Sequence, residues 1–434
     1  MKSPLYSPMI FIYNILFPFV FIFFVPSIIS KLIKRGGTKK TFLERFSIYG
    51  TGKKQKLLDS RGAIWIHSVS VGETQIALSF IGKWLSKSPG MKFVLSTTTT
   101  TAQALAENSL PKNTVLIFCP IDFIFYVKKT FDLIRPSALV IFETELWPNM
   151  ICQARKRNIP AALVNGRISD KSYSGYRRFS IFFSKIVRML SLISVQTELD
   201  KQRFSEICPG TIPVTTGNMK FDQPIPEPSA LVGLSEYFGE GPICVLMGAS
   251  THPGEEKLIA SVYKEIKVKH PELRLLLVPR HTERKAEIES QLNELGIEFR
   301  TRTGKYPAGN RYECLLVDTT GEMLQFMVSA DIVVMGKSFA GHNEGHNLVE
   351  PALLAKPIIA GAVLKNFKFI LKTLMDDDAL IAVGEDSGLR SQIEKLVEDP
   401  GLRLELGRRA KDAVSKHRGA TEKTITLIEE LLKR

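Results

Sequence analysis

Two Rossmann-like α/β domains facing a cleft are the architecture that this 434-residue chain predicts. Three observations lead there. Short apolar runs alternate with helical segments along most of the length, the pattern of parallel strands covered by helices on both faces. The alternation pauses between Phe221 and Gly241, where Pro224, Pro226 and Pro228 crowd together and mark a linker. The length also exceeds what one hydrophobic core usually organises, so two cores are expected.

Taken in order, Met9 to Ile29 carries no charge over 21 residues, enough for a helix to cross a bilayer despite Pro18 and Pro26. Lys31, Lys34, Arg35, Lys39 and Lys40 follow it, and only Lys2 precedes it. The positive-inside rule therefore predicts a single anchor over residues 1–35 with the rest of the chain in the cytoplasm. A cleaved signal peptide and a one-leaflet hairpin broken at the prolines are the competing readings. Thr41 to Leu58 is basic and amphipathic, suited either to lipid headgroups or to a solvated connector.

The first domain, 36–221, opens with the strand Ala63–Val69, after which Gly72-Glu73 leads into a helix. Strands follow at Lys92–Thr97, Val115–Cys119, Ala138–Phe142, Ala161–Val164, Leu192–Gln196 and Val214–Gly217. After a linker at 222–241, the second domain, 242–434, repeats the pattern. Its strands are Ile243–Met247, Arg274–Val278, Leu315–Val317 and Asp331–Met335, and two helices, Leu402–His417 and Thr421–Lys433, close it.

The stretch from Gly336 to Gly361 organises this half. Gly336, Gly341 and Gly345 permit tight turns and close approach to a ligand. Asn347 and Glu350 have capping-box spacing before an apolar helix over Leu348–Ala355, and Pro357 starts a buried strand. A glycine loop feeding a helix start offers free N–H groups to an anion. An ordinary capped αβ unit is the alternative, but two His, two Asn and two Glu in the nine positions from His342 to Glu350 exceed what capping requires.

Composition narrows the partners. Apolar content of 44% and charged content of 24% are globular values that exclude a disordered chain. A net charge of +14 suits nucleic acid, an anionic membrane face or a phosphorylated substrate. With an apolar N-terminus and no basic-aromatic motif, nucleic acid is not expected. The five cysteines lie far apart without metal-ligand spacing, as buried thiols of a reduced compartment do.

Open α/β sheets bind ligands at the carboxyl ends of their strands, so the strand-end residues are the candidates. In the first half these are Ser70, Gly72 and Glu73, then Glu143 and Glu145, then Asn165 and Arg167. Glu73 at a helix start is equally a dipole-favoured acid. Glu143 and Glu145, two apart in an extended segment, would share one side and raise one pKa, or form an exposed polar edge. Lys220 would lie in the cleft. In the second half the candidates are Ser250, Thr251 and His252, then Arg280, His281 and Arg284 as a cation cluster for an anionic oxygen. Gly336, Lys337, Ser338, Gly345, His346, Asn347 and Glu350 complete the set.

The phrases HSVSVGE, FETELWPN, LVNGRISDKSYSGY, GNMKFD, ASTHPGEE, PRHTER, DTTGEM and GHNLVEPALLAKPII, in this order, resemble the Kdo transferases of lipopolysaccharide assembly over nearly the whole chain. The resemblance implies a GT-B inverting glycosyltransferase that moves 3-deoxy-D-manno-octulosonic acid (Kdo) from CMP-Kdo to a lipid A precursor at the bacterial inner membrane. It implies no metal and no cofactor. It makes Glu73 the general base and Glu143 or Glu145 the second essential carboxylate. It ties Lys220, Arg280, Asn347 and Glu350 to the nucleotide-sugar and lets Arg167, beside Asn165, help hold the donor's anionic groups. A GT-B enzyme using a UDP-sugar and a lipid-linked acceptor is the alternative. The chain departs from the family pattern at Lys337 and Glu344, where glycine is usual, and at Leu348, where proline is usual, which bears on the loop's backbone geometry.

Overall fold

The computed structural model describes residues 8–34, 39–222, 232–306 and 311–433, with the side chains of residues 20 and 24–41 outside the described set. The three linker prolines also lie outside it. The chain forms two compact units, each built on one seven-stranded sheet in which every paired strand is parallel.

In the first unit the strands are β1 (Ile64–Ser68), β2 (Phe93–Thr97), β3 (Thr114–Phe118), β4 (Ala138–Phe142), β5 (Ala161–Gly166), β6 (Leu192–Val195) and β7 (Val214–Thr215), in the order β3-β2-β1-β4-β5-β6-β7. The central strands β1, β2, β4 and β5 are buried from end to end, as strands covered on both faces must be. Alternate residues feed two cores. Trp65 and Leu139 pack with Phe131 and Ile151 on one face, while Ile66 and Val140 pack with Phe80 and Trp84 on the other.

The second unit holds β8 (Cys244–Thr251), β9 (Leu273–Pro279), β10 (Phe299–Thr301), β11 (Cys314–Leu316), β12 (Ile332–Met335), β13 (Ile358–Gly361) and β14 (Ile381–Val383), in the order β10-β11-β9-β8-β12-β13-β14. The two strands that the sequence pattern does not show, β10 and β14, are the three-residue edges of this sheet, too short to display a period.

One boundary differs from expectation. Residues 418–434 belong to the first unit, not the second. Asp222 is the reason: its carboxylate accepts from the amides of Gly419 and Thr421, both at 2.6 Å, and so caps the helix Ala420–Leu432. Ala420, Ile425 and Ile428 then enter the core beside Trp84, whose indole N–H donates to Glu429 at 3.1 Å.

At the N-terminus, Pro8–Lys34 is one 27-residue helix that runs through both prolines instead of breaking into a hairpin. Ile10 is buried in the first unit's core, the Tyr13 hydroxyl donates to Asp122 at 2.9 Å, and Phe17 meets Phe123 edge-on at 5.3 Å. Phe11, Ile15, Phe19 and Phe23 point outward. Among the described residues no helix is long and apolar enough to cross a membrane. The following segment is not a solvated connector: Arg45 donates to the Thr98 carbonyl at 2.6 Å and lies over the Phe118 ring, and Leu57 is buried.

Candidate active site

In the first sheet, β1 and β4 are neighbours, and the chain runs outward from them in opposite directions. Such a switch point leaves a crevice at the strands' carboxyl ends. Glu73 follows β1 and Glu143 follows β4, so the topology itself brings the two sequence motifs together.

Glu73 is buried and closes a capping box. Its carboxylate accepts from the Val69 amide at 2.8 Å, the Ser70 amide at 3.3 Å and the Ser70 hydroxyl at 2.6 Å, while its own amide donates to the Ser70 hydroxyl. Burial pushes its pKa up and the charge of Glu143 adds to this; the Ser70 and backbone bonds work against it. The dipole-favoured position and the candidate base are therefore one and the same carboxylate. Gly72 is exposed in the first turn of that helix.

Glu143 and Glu145 are gathered by a turn, not by strand alternation. β4 ends at Phe142, and Glu143 has a left-handed φ of 53°. A side chain in that region carries strain that surrounding contacts must hold, here a bond from its amide to the Val164 carbonyl at 2.9 Å and an ion pair with Arg167 at 3.4 Å. Glu145 is the carboxylate that titrates high: burial, then the charges of Glu73 and Glu143, raise it to about 7. Lys220 completes the cluster, its pKa lowered by burial and by Arg167 against the opposing pull of Glu143 and Glu73. Asn165 is fully buried, and its side-chain nitrogen has no hydrogen-bond partner. Its side-chain oxygen accepts from the Met219 amide at 3.0 Å, so it positions the turn that carries Lys220.

The second sheet has its own switch point, between β8 and β12. Ser250 and Thr251 end β8, His252 follows it, and Gly336 to Ser338 follow β12. Gly336 cannot be replaced, since a Cβ there would stand 2.3 Å from the Ser250 carbonyl oxygen. The Ser250 hydroxyl donates to the Met323 sulfur at 3.0 Å, and Thr251 Oγ1 is buried without a partner. Arg280 and His281 follow β9 and are exposed. The His252 and His346 rings stack, with their Nε2 atoms 3.0 Å apart. Glu350 is pushed above the usual carboxylate range by burial, against an Asn347 bond of 3.2 Å and the charge of Arg280.

Three expectations are corrected here. The first amides of the glycine loop are not free, because the Glu255 carboxylate already accepts from Lys337 at 2.7 Å, Ser338 at 2.8 Å and Phe339 at 2.9 Å. Asn347 is not the N-cap of a long helix. The helix spans only Val349–Leu353, Leu348 is its N-cap, and Asn347 bonds the Val349 amide and Glu350 instead. Arg284 is not part of an anion site, since buried Glu256 takes both its terminal nitrogens, at 2.8 and 3.2 Å. The departure at Lys337 also acquires a meaning: its φ is 59°, a conformation glycine adopts without strain, and Gly345 beyond it has a φ of 76°.

Sequence reasoning missed Glu255. It stands in the quoted THPGEE phrase, but an acid in a helix's first turn reads as a dipole partner, and nothing local shows that its oxygens serve a loop 82 residues away. Among the described residues, the group with three metal-ligand atoms in reach of one another is His270, Glu394 and Glu398. None of these is a candidate site residue, and Lys269 lies 3.0 Å from Glu394.

Comparison with known proteins agrees with these features. The family described as "3-Deoxy-D-manno-octulosonic-acid transferase (kdotransferase)" matches residues 40–223. A 3-deoxy-D-manno-octulosonic acid transferase of Rickettsia bellii is 33% identical over 393 residues, covering 89% of this chain and 90% of the relative. That of Haemophilus influenzae is 28% identical over 93% of this chain and 94% of its own. Among solved structures, a glycosyltransferase from Rickettsia africae superposes with a TM-score of 0.59 at 13% identity, over 86% of this chain and 99% of that one, a likeness of fold.

Proposed function

The chain belongs to the 3-deoxy-D-manno-octulosonic acid transferase family, and from that premise we propose that it transfers Kdo from CMP-Kdo to a lipid A precursor, lipid IVA. It is a glycosyltransferase of GT-B fold acting in lipopolysaccharide synthesis. The observation that carries the finer reading is the first unit's cluster, in which buried Glu73 lies within electrostatic reach of Glu143, Glu145 and Lys220.

Transfer requires the acceptor hydroxyl to lose its proton as its oxygen attacks the anomeric carbon. The bond from that carbon to the phosphate oxygen breaks, and CMP leaves carrying the electron pair. Glu73 takes the proton: burial and the neighbouring Glu143 carboxylate raise its basicity, and Ser70 holds its orientation. Lys220 and Arg167 supply positive charge toward the sugar's carboxylate, and Arg280 supplies it toward the phosphate. Glu350, with Asn347 fixing one oxygen, is suited to accept from ribose hydroxyls. Ser70, Ser250, His252, His281, Lys337 and His346 belong to the same reading as groups on the strand ends. The uncharged run Met9–Ile29, followed by lysines and arginine, supports a single anchor in the inner membrane with both units on its cytoplasmic side.

The test is transfer from CMP-Kdo to tetra-acylated lipid IVA by the detergent-solubilised protein, with and without chelator. Chelator-resistant transfer is expected. Glu73→Ala should lose roughly 10²–10⁴-fold in rate, the usual contribution of a general base, with CMP affinity kept. Absence of both transfer and CMP-Kdo binding in the intact protein would sink the donor assignment in favour of a UDP-sugar.

A further inference from the structure

Four imidazoles meet in the second unit. His252 is central: its ring centroid lies 5.1 Å from that of His346, 5.5 Å from that of His281 and 5.5 Å from that of His342. They arrive from three segments far apart in sequence, the ends of β8 and β9 and the loop after β12. The outer two have their own partners. His342 Nε2 is 3.1 Å from the Pro253 carbonyl oxygen, to which it must donate, and His281 Nδ1 is 3.3 Å from Glu283.

The inner pair is different. At a separation of 3.0 Å, one Nε2 must donate a proton and the other must accept it. A neutral pair meets this condition when one ring carries its hydrogen on Nε2 and the other on Nδ1. A proton added to Nδ1 of the donating ring makes it an imidazolium and strengthens the shared bond. A second proton would have to go on the accepting Nε2, setting N–H against N–H. The pair therefore has room for one extra proton and not two.

The surroundings hold that place empty in the unliganded protein. Burial comes first, and Lys337, Arg280, His281 and His342 add positive charge around His252; both pair members are driven down to about 4. The carboxylates nearby are committed. Glu255 accepts four backbone amides, including that of His252 at 2.8 Å, Glu350 is engaged by Asn347, Glu283 pairs with His281, and half-buried Glu344 accepts from backbone amides. Among the described residues, the charges that bear most on the two rings are all positive.

We propose that the His252–His346 pair is a phosphoryl-binding element that takes up one proton from solvent as a phosphate group binds, so that nucleotide binding in this unit is proton-coupled. The ligand class is a phosphate ester. Its oxygens supply the charge that the neutral pair cannot, and the resulting imidazolium bears on the phosphate that becomes a dianion when the sugar leaves. The proposal deepens the functional reading above and rests on it for the choice of CMP.

The test is calorimetric titration of the full-length detergent-solubilised protein with CMP, at about pH 7.5, where a phosphate monoester with a second pKa of about 6 is already a dianion. Repeating it in buffers of different ionisation enthalpy gives the protons taken up per CMP bound. Uptake approaching one proton is expected, with affinity falling up to about tenfold per pH unit above neutrality, as linkage requires. Cytidine, which has no phosphate, should show none. His252→Gln and His346→Gln, each checked for an unchanged thermal midpoint, should still bind CMP more weakly but with uptake near zero. CMP binding without proton uptake in the wild type overturns the proposal, as does full uptake in both variants. If CMP does not bind but UMP binds with the same uptake, the donor assignment fails and the proton-coupled pair stands.

Discussion

Replacing Glu255 with glutamine changes one atom and should cost the second unit much of its stability. The carboxylate is fully buried and accepts four backbone amides: His252 at 2.8 Å and Lys337 at 2.7 Å on one oxygen, Ser338 at 2.8 Å and Phe339 at 2.9 Å on the other. Burial alone raises its pKa, and the four amides pull it back. In Glu255→Gln, whichever way the amide is turned, two N–H donors face an NH₂ group instead of an oxygen. Each charge-assisted bond contributes about 1.5–3 kcal/mol, so losing two predicts a destabilisation of roughly 3–6 kcal/mol, large against a whole-domain stability of about 5–15 kcal/mol. Urea unfolding followed by circular dichroism measures it, and CMP titration should show weakened binding in the same variant, because His252 and Lys337 are both held by this group. A variant within about 1 kcal/mol of the wild type, the uncertainty of a linear extrapolation, would refute the idea that this carboxylate holds the loop.

Other outcomes follow from the same contacts. Glu145→Gln should make the protein more stable at high pH and not at low pH: the folded carboxyl stays protonated up to about 7 while the unfolded chain ionises from 4.5, so the wild type loses stability as pH rises through that window. Thermal midpoints of both proteins across it would converge at the acid end if this is right. Lys337→Gly, relieving a left-handed φ of 59°, should raise stability by about 0.5–1 kcal/mol after the entropy cost of glycine, while CMP binding becomes weaker and less salt-dependent. Asp222→Ala should cost about 1–3 kcal/mol by leaving the Gly419 and Thr421 amides uncapped, and hydrogen exchange should rise first in the helix 420–432.

The sequence alone determined the class of fold and most of its strands, because parallel strands buried on both faces leave apolar runs too dense to mistake, as in β1, β2, β4 and β9. It also named the strand-end motifs, since a ligand site at a sheet's carboxyl edge must be built from the first residues after each strand. What it left open was decided by contacts between distant segments. Which strands are neighbours is not written in any one of them, and only the order β1-β4 and β8-β12 brings Glu73 to Glu143 and Ser250 to Gly336. The turn at Glu143, not alternation along an extended strand, gathers the carboxylates, because its left-handed φ is stabilised by partners on β5 and at Arg167. The last helix joins the first unit because Asp222, nearly 200 residues earlier, caps it. The start of the glycine loop looked open to an anion because a local reading counts donors, whereas Glu255 had already taken those of Lys337, Ser338 and Phe339. A side chain's local role can be inferred from its neighbours in sequence; the partner that satisfies it across the fold is set by packing.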